Sequence, residues 1–167
     1  PVMLPDCARV VDSEAELAVV IGKTASRVPG NEALGYVAGY TVVNDVTERV
    51  VQRANGQWFR GKGFDTFCPM GPFLVTPDEV PDLGNIHVWQ KLNGATLQDA
   101  NTKDMMFTVP FLIAYISAGM TLLPGDVIAT GTPSGIGSAR TPQVLMKPGD
   151  TVEVGVDSIG AQRSDVR

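Results

Sequence analysis

The sequence predicts a mainly β or α+β domain with few short helices, and three observations support this prediction. The 167 residues include 18 Gly and 12 Pro, which divide the chain into short segments of the kind that form strands joined by tight turns. Strand candidates outnumber helix candidates. The two kinds of segment do not alternate regularly, which argues against a doubly wound α/β sheet. From the length we expect a single domain over residues 1–167.

Six segments are strand candidates. Residues 16–22 (ELAVVIG) are apolar over most of their length, which predicts a strand buried on both faces. Residues 35–45 (GYVAGYTVVND) are rich in β-branched and aromatic side chains, which favour strands. The remaining candidates are shorter: 71–76, 86–92, 126–130 and 151–156.

Two segments are helix candidates. Residues 47–53 begin at Thr47, whose hydroxyl makes it a suitable N-cap. Residues 108–117 carry Pro110 in their first turn, where no backbone N–H is needed. Four apolar side chains of this second candidate share one helix face: Phe111, Leu112, Tyr115 and Ile116.

The composition excludes several classes of protein. The formal net charge of -5 leaves no basic excess for binding nucleic acid. No apolar run reaches the roughly 18 residues that a membrane-spanning helix needs. The only histidine is His87, so the chain cannot build a multi-histidine zinc site. Two cysteines, Cys7 and Cys68, are too few for a disulfide framework, and they fit a reducing compartment, so we expect a cytoplasmic protein.

Three carboxylates follow the first two strand candidates. Glu14 and Glu16 are separated by one residue, so both project from the same face of a strand. Taken alone, such a pair is more often a solvated strand end. Asp45 ends the second strand candidate, where it could instead cap the next helix, as Asn44 or Thr47 could. If the two strands are neighbours, all three carboxylates converge. All-oxygen ligation suits Mg²⁺, Mn²⁺ or Ca²⁺ rather than Zn²⁺.

Two loops carry further candidates. Lys62 lies between two glycines in RGKGFDTFCPMGP, where its ammonium could approach an anion, although an exposed loop lysine is the commoner outcome of that spacing alone. Cys68 has no histidine nearby in sequence, so we expect it to be unreactive. The segment TGTPSGIG does not match G-x-G-x-x-G, and we expect no dinucleotide site there. It offers the Thr132 hydroxyl and backbone N–H groups to a carboxylate or oxyanion.

Five segments in a fixed order carry a resemblance to a known family. They are DSEAELAVVIGK, AGYTVVNDVTERVVQ, GKGFDTFCPMGP, NTKDMMF and LLPGDVIATGTPSGIG. Together they resemble the C-terminal catalytic domain of the fumarylacetoacetate hydrolase family, from about Pro5 to the end of the chain. The resemblance implies a mixed β-sandwich roll with few short helices, usually assembled as a homodimer.

The resemblance implies a metal site. Glu14 and Glu16 match the acidic pair of the family's E-x-E motif, and Asp45 matches the aspartate of its N-D motif. These three residues are thereby expected to bind the family's Mg²⁺ or Mn²⁺, with Ca²⁺ as an ion that could replace it in a crystal.

The resemblance also implies substrate contacts. Arg49 and Gln52 match positions on the substrate side of the cleft, and Lys62 matches the family's active-site lysine. Gly131 and Thr132 fall in the family's G-T-P loop, whose threonine binds the substrate carboxylate. Lys62 and Thr132 are therefore the expected catalytic residues.

One family feature has no match in the sequence. Members that hydrolyse or decarboxylate generally carry a histidine, followed three residues later by a glutamate, in a mobile lid upstream of the metal strand. His87 lies downstream of Lys62 and does not match. The chain begins with Pro1 rather than Met, and PVM runs directly into LPD, where the family usually has a longer stretch. We expect residues to be missing from this sequence before Pro1 and between Met3 and Leu4.

The resemblance implies a reaction on small 2-oxo acids. The expected activity is Mg²⁺-dependent hydrolysis of the C–C bond of a small 2,4-dioxo acid, an acylpyruvate or a diketo sugar acid, through a metal-bound enolate. The segments GKGFDTFCPMGP and GTPSGIG and the ending IGAQRSDVR are similar to bacterial hydrolases of diketo sugar acids. Three alternatives stay open: an oxaloacetate-type decarboxylase, an isomerase of 2-hydroxy-diene-dioates, and a metal-binding homologue without catalysis.

Overall fold

The computed structural model describes residues 1–54 and 56–167, in which strands dominate. Over these two ranges, nine strands form three sheets, of two, three and four strands, with the orders β1-β4, β3-β2-β7 and β6-β5-β8-β9. All the pairings within these sheets are antiparallel. The strands are β1 (Val11–Asp12), β2 (Ala15–Ile21), β3 (Val37–Asn44), β4 (Thr47–Glu48), β5 (His87–Leu92), β6 (Ala95–Asn101), β7 (Val127–Ala129), β8 (Thr151–Val156) and β9 (Gly160–Asp165).

In the described part of the chain, three α-helices accompany the sheets, so the predicted mainly β or α+β class is confirmed. They are α1 (Arg49–Ala54), α2 (Phe59–Lys62) and α3 (Val109–Gly119). Short 3₁₀ turns span Ala33–Tyr36, Pro77–Glu79, Thr102–Asp104 and Gly137–Ala139. Within the described ranges, no helix combines the length and the hydropathy needed to cross a bilayer.

The core lies between the three-stranded and four-stranded sheets. Leu17 and Val19 of β2 and Val152 and Val154 of β8 are buried and belong to one hydrophobic cluster. Two antiparallel sheets that face each other in this way form a β-sandwich. Nearly every residue of β2 is buried, which confirms the prediction of a strand covered on both faces.

Five of the six strand candidates correspond to β2, β3, β5, β7 and β8. The candidate 71–76 is wrong, because this segment contributes only the isolated bridge of Val75 to Tyr40. Pro72 has no backbone N–H to donate to a ladder, which explains why no strand forms. Strands β6 and β9 were not predicted. Both are edge strands with sequences rich in polar residues, because one side of such a strand faces solvent.

The helix prediction at 108–117 is confirmed by α3, which has Thr108 as N-cap and a proline in its first turn. The four residues predicted to share an apolar face are not the buried ones, because Phe111 and Tyr115 are exposed and Leu112 and Ile116 only half-buried. The helix instead buries Val109 and Ile113. The prediction of Thr47 as an N-cap is wrong. Thr47 lies in β4, and α1 begins only at Arg49.

Candidate active site

The antiparallel pairing of β2 with β3 brings three carboxylates together. Ala15 lies opposite Asn44, and the Asp45 N–H donates to the carbonyl oxygen of Glu14 at 2.9 Å. Glu14 and Glu16 project from the same face because one residue separates them on an extended strand. One carboxylate oxygen from each of Glu14, Glu16 and Asp45 lies within 4.8 Å of the other two. The two strands are therefore neighbours, as the predicted convergence requires.

Glu14 is held by hydrogen bonds at its backbone and at both carboxylate oxygens. Its N–H donates to Asn44 Oδ1 at 3.1 Å, and the same amide oxygen accepts from the Ser13 hydroxyl at 2.8 Å. Glu14 Oε1 lies 2.6 Å from an Arg49 Nη atom, and Glu14 Oε2 accepts from Lys62 Nζ at 3.0 Å. Arg49 and Lys62 thus orient the Glu14 carboxylate from its two sides.

Lys62, at the end of α2, reaches the same cluster. Its ammonium donates to Asp45 Oδ2, to Glu14 Oε2 at 3.0 Å and to Thr47 Oγ1 at 3.1 Å. Helix α2 packs tightly on α1 at Gly61, where an added Cβ would lie 2.7 Å from Gln52 Cβ. Burial lowers the pKa of Lys62, but the hydrogen bond and charge of Asp45 and the charge of Glu14 outweigh it, so this pKa is raised overall and Lys62 stays protonated.

Glu16 differs from the other carboxylates in its environment. The pKa of Glu16 is raised to about 8 overall, chiefly by burial and to a smaller extent by the charges of Asp45 and Glu14. The Gly131 N–H, which donates to Glu16 Oε2 at 2.7 Å, and Lys62 act in the opposite direction. The pKa of Asp45 is also raised by burial and by Glu14, although Lys62 opposes this. Burial therefore disfavours the charged forms of both Glu16 and Asp45.

Arg49 and Gln52, predicted on the substrate side, are both buried beside this cluster. Arg49 Nη1 donates to Gln52 Oε1 at 3.3 Å, and Arg49 Nη2 donates to Asp12 Oδ2 at 3.2 Å. Asp12 also accepts from the backbone N–H groups of Gly137, at 3.0 Å, and Ser138, at 2.9 Å. The sequence analysis missed Asp12, which ends β1 two residues before Glu14.

Gly131 and Thr132 bond to different partners in the structure. The Gly131 N–H points to Glu16, whereas the Thr132 hydroxyl accepts from Gln98 Nε2 at 2.7 Å and lies 3.1 Å from the carbonyl oxygen of Ala15. Gln98 is a second residue that the sequence analysis missed, since a lone glutamine in a polar edge strand gives no sign of its contacts. The predicted roles of Gly131 and Thr132 in binding a carboxylate stay predictions.

A cavity of about 190 Å³ is lined in part by this loop, from Thr130 to Pro133. Its lining includes Leu17, which alternates with Glu16 along β2 and therefore points to the opposite face. The remaining lining is mostly apolar and comes from β5, β6 and the segment after β6, with Val88, Ala100, Met105, Met106 and Phe107 among it.

His87 and Cys68 are not part of the carboxylate cluster. The His87 ring lies 2.9 Å from Asp99 and 3.5 Å from Asp157, on the four-stranded sheet. Cys68 is exposed. Desolvation of the thiol by neighbouring residues, together with the charges of Asp45 and Glu16, raises the pKa of this thiol. A raised thiol pKa disfavours the nucleophilic thiolate, in line with the expectation that Cys68 is unreactive.

The chain belongs to the fumarylacetoacetate hydrolase family. The model of that family described as "Fumarylacetoacetate (FAA) hydrolase C-terminal" matches residues 1–167. This result confirms the resemblance drawn from the five ordered segments. The relatives and solved structures below are named as hydrolases and isomerases, so the chain is part of an enzyme family.

A curated relative and two solved structures show the range of the family. The chain is 50% identical over 167 residues to the 2,4-didehydro-3-deoxy-L-rhamnonate hydrolase of Sphingomonas sp. (strain SKA58), covering 99% of this chain and 59% of that protein. The 2-hydroxyhepta-2,4-diene-1,7-dioate isomerase from Mycobacterium marinum has 42% identity and a TM-score of 0.91, over 99% of this chain and 62% of that chain. The maleylpyruvate hydrolase from Sphingobium sp. SYK-6 has 38% identity and a TM-score of 0.87, over 99% of this chain and 58% of that chain.

Proposed function

We propose that this chain provides the metal site and much of the active site of a Mg²⁺-dependent hydrolase. The proposed reaction cleaves the C–C bond of a small 2,4-dioxo acid, either an acylpyruvate or a diketo sugar acid. The observation that carries the proposal is the convergence of Glu14, Glu16 and Asp45 oxygens within 4.8 Å. A 50% identical relative named as a 2,4-didehydro-3-deoxy-L-rhamnonate hydrolase supports the substrate class, since that name describes a diketo sugar acid.

The donor set fits a hard divalent cation. All three candidate ligands are carboxylates, which suit Mg²⁺ or Mn²⁺, with Ca²⁺ in the same class. The raised pKa values of Glu16 and Asp45 reflect burial and mutual repulsion that a bound cation would relieve. Such a cation would polarise the 2-oxo group of the substrate as a Lewis acid.

The remaining residues of the site have separate roles in this proposal. Water adds to the distal carbonyl carbon, the C–C bond breaks, and its electron pair leaves with the pyruvate fragment as an enolate, which then takes up a proton. Lys62, which already contacts Glu14 and Asp45, offsets the negative charge of that fragment. Arg49 holds Glu14 in place, and the Gly131–Thr132 loop binds the substrate carboxylate.

The isomerase alternative has its own support. A 42% identical structure with a TM-score of 0.91 is named as a 2-hydroxyhepta-2,4-diene-1,7-dioate isomerase. An isomerase would use the same carboxylates and Lys62 to stabilise an enolate, but would move only a proton.

We also propose that the chain works as a cytoplasmic homodimer. Phe107, Phe111 and Tyr115 form an exposed aromatic row, with ring centroids 4.8 Å and 5.8 Å apart along it. Met106, at 90% exposure, extends the row. Contiguous exposed apolar surface of this kind marks interaction sites. We call these four residues the aromatic strip and assign it to the contact with a second copy.

The reaction is tested by a substrate panel with product identification. The purified protein is assayed with acylpyruvates, 2,4-didehydro-3-deoxy sugar acids, oxaloacetate and 2-hydroxy-diene-dioates, each with Mg²⁺ and with excess chelator. We expect cleavage of a 2,4-dioxo acid into a 2-oxo acid and a second fragment, with Mg²⁺ only. Isomerised diene-dioate as the sole product, CO₂ from oxaloacetate alone, or no turnover with any substrate would each overturn the hydrolase proposal.

Two variants test the assigned residues. Glu16→Ala should abolish Mg²⁺-dependent cleavage, and full activity in this variant would contradict the metal assignment. Lys62→Met should lower kcat by about 10²–10³-fold with the fold intact, because charge stabilisation in a dry site has that magnitude. Glu32→Ala and Lys23→Met serve as matched controls, since both side chains are exposed outside the site.

A further inference from the structure

A buried glutamine joins the two segments on either side of Glu16. Gln98 lies on β6 and is 0% exposed. Its Oε1 accepts from the Ala15 N–H at 2.9 Å, and its Nε2 donates to Thr132 Oγ1 and to the carbonyl oxygen of Pro133, both at 2.7 Å. Both ends of one amide are therefore used, one on β2 and one on the loop after β7.

The same two segments, β2 and the loop after β7, also contact each other at Glu16. Ala15 lies between Glu14 and Glu16 on β2, and Thr132 follows Gly131, whose N–H donates to Glu16 Oε2 at 2.7 Å. The position of Gly131 relative to β2 thus depends on what fixes the loop to the strand.

Regular sheet pairing does not extend to this point. Strand β7 pairs with β2 only from Ala18 to Val20. Beyond it, the loop is joined to β2 by Thr130, which donates to the Leu17 carbonyl oxygen at 3.1 Å, and by the contacts of Thr132 and Gln98. Gln98 belongs to β6 of the four-stranded sheet. It therefore ties the loop and β2 to a third element, which is β6.

We propose that Gln98 is a positioning residue for Glu16. It fixes the 131–133 loop so that the Gly131 N–H holds the Glu16 carboxylate toward Glu14 and Asp45. Gln98 acts through Gly131 and does not itself contact the carboxylates. The inference rests on the proposed function, because it takes Glu16 as a metal ligand. Partners behind metal ligands are typically responsible for about 10–100-fold in metal affinity.

The chain offers a closely matched control in Gln90. Gln90 lies directly opposite Gln98 in the β5–β6 pairing and is 1% exposed. Its Oε1 has no hydrogen-bond partner among the residues that the structure describes. Gln90→Met and Gln98→Met therefore make the same chemical change at two equally buried sites of one strand pair, and only Gln98 bonds to the loop.

The test measures Mn²⁺ affinity, from the electron paramagnetic resonance signal of free Mn²⁺, together with thermal unfolding. We expect Gln98→Met to weaken Mn²⁺ binding by about 10-fold or more, and Gln90→Met to stay within about twofold of the unmodified protein. Gln98→Glu should fail to restore affinity, because it lacks the Nε2 donors that hold the loop. Affinity in folded Gln98→Met equal to that of Gln90→Met, or normal affinity in Gln98→Glu, would overturn the proposal.

A loop-side variant covers the case in which Gln98→Met does not fold. Thr132→Val removes the acceptor for Gln98 while keeping the side-chain shape, and it should also weaken Mn²⁺ binding. Unchanged affinity in this variant would then overturn the proposal. Failure of the proposed function would look different, since Glu16→Ala would leave Mn²⁺ affinity unchanged or the unmodified protein would bind no Mn²⁺.

Discussion

Arg49 and Glu14 form an ion pair of 2.6 Å in which the two side chains are only 6% and 8% exposed. The same guanidinium lies 3.2 Å from Asp12. Arg49 is the first residue of α1. Its side chain therefore connects this helix with Asp12 of β1 and with Glu14, the residue before β2. Buried charges are costly when they lose a partner, so this connection contributes to the stability of the fold as well as to the site.

Replacing Arg49 should destabilise the protein strongly. We expect Arg49→Met to lower the free energy of unfolding by about 3 kcal/mol, because Asp12 and Glu14 stay buried after losing a cation. Urea unfolding followed by circular dichroism measures the change. Arg53→Met, in the exposed last turn of the same helix, should have little effect. A loss below about 1 kcal/mol in Arg49→Met would show that the pair contributes no more than a surface ion pair.

Replacing Lys62 should strengthen metal binding even as it lowers activity. The Lys62 ammonium bonds to Glu14 and Asp45, which are two of the proposed ligands, so it repels a divalent cation that binds there. We expect Lys62→Met to bind Mn²⁺ roughly 10-fold more tightly, because like charges a few ångströms apart inside a protein repel by kilocalories per mole. Isothermal titration calorimetry measures the affinity, with Lys23→Met as control. Weaker Mn²⁺ binding in Lys62→Met would contradict this competition.

The placement of the three carboxylates could be predicted from the sequence, because it needs only the two-residue period of a strand and the adjacency of two strands. Glu14, Glu16 and Asp45 meet as that simple geometry requires. The edge strand β6 and its Gln98 could not be predicted, because a polar edge strand has no apolar alternation and a single amide does not reveal its partners. The Thr132 hydroxyl shows the same limit, since the bonds that a loop side chain makes depend on register across two sheets.

Glu48 should make stability depend on pH in acid. Its carboxylate accepts from the backbone N–H groups of Arg9 and Val10 through Oε1 and of Val51 through Oε2. Burial raises the pKa of Glu48, but these N–H groups outweigh it and bring this pKa below its ordinary value of 4.5. In that range the unfolded state binds more protons than the folded state, so the stabilisation is complete above pH 4.5 and is lost as the pH falls through the lower folded pKa.

The corresponding variant is Glu48→Gln. It should lower stability by about 1 kcal/mol at pH 7, as the loss of a helix cap does, and the difference from the unmodified protein should shrink as the pH falls below 4.5. Thermal unfolding between pH 3 and pH 7 measures both curves, and Glu32→Gln provides an exposed control. A difference that stays constant over this range would contradict the assignment.

The aromatic strip should control the oligomeric state. Phe111 lies at its centre, stacked between Phe107 and Tyr115, and is 46% exposed. A charge there would have to be desolvated in the contact between two copies, so Phe111→Glu should convert a dimer into a monomer. Light scattering after size-exclusion chromatography measures the mass. Phe73→Glu is the control, because Phe73 is 64% exposed and lies outside the strip. A dimer that survives Phe111→Glu but dissociates with Phe73→Glu would place the contact on the surface around Phe73.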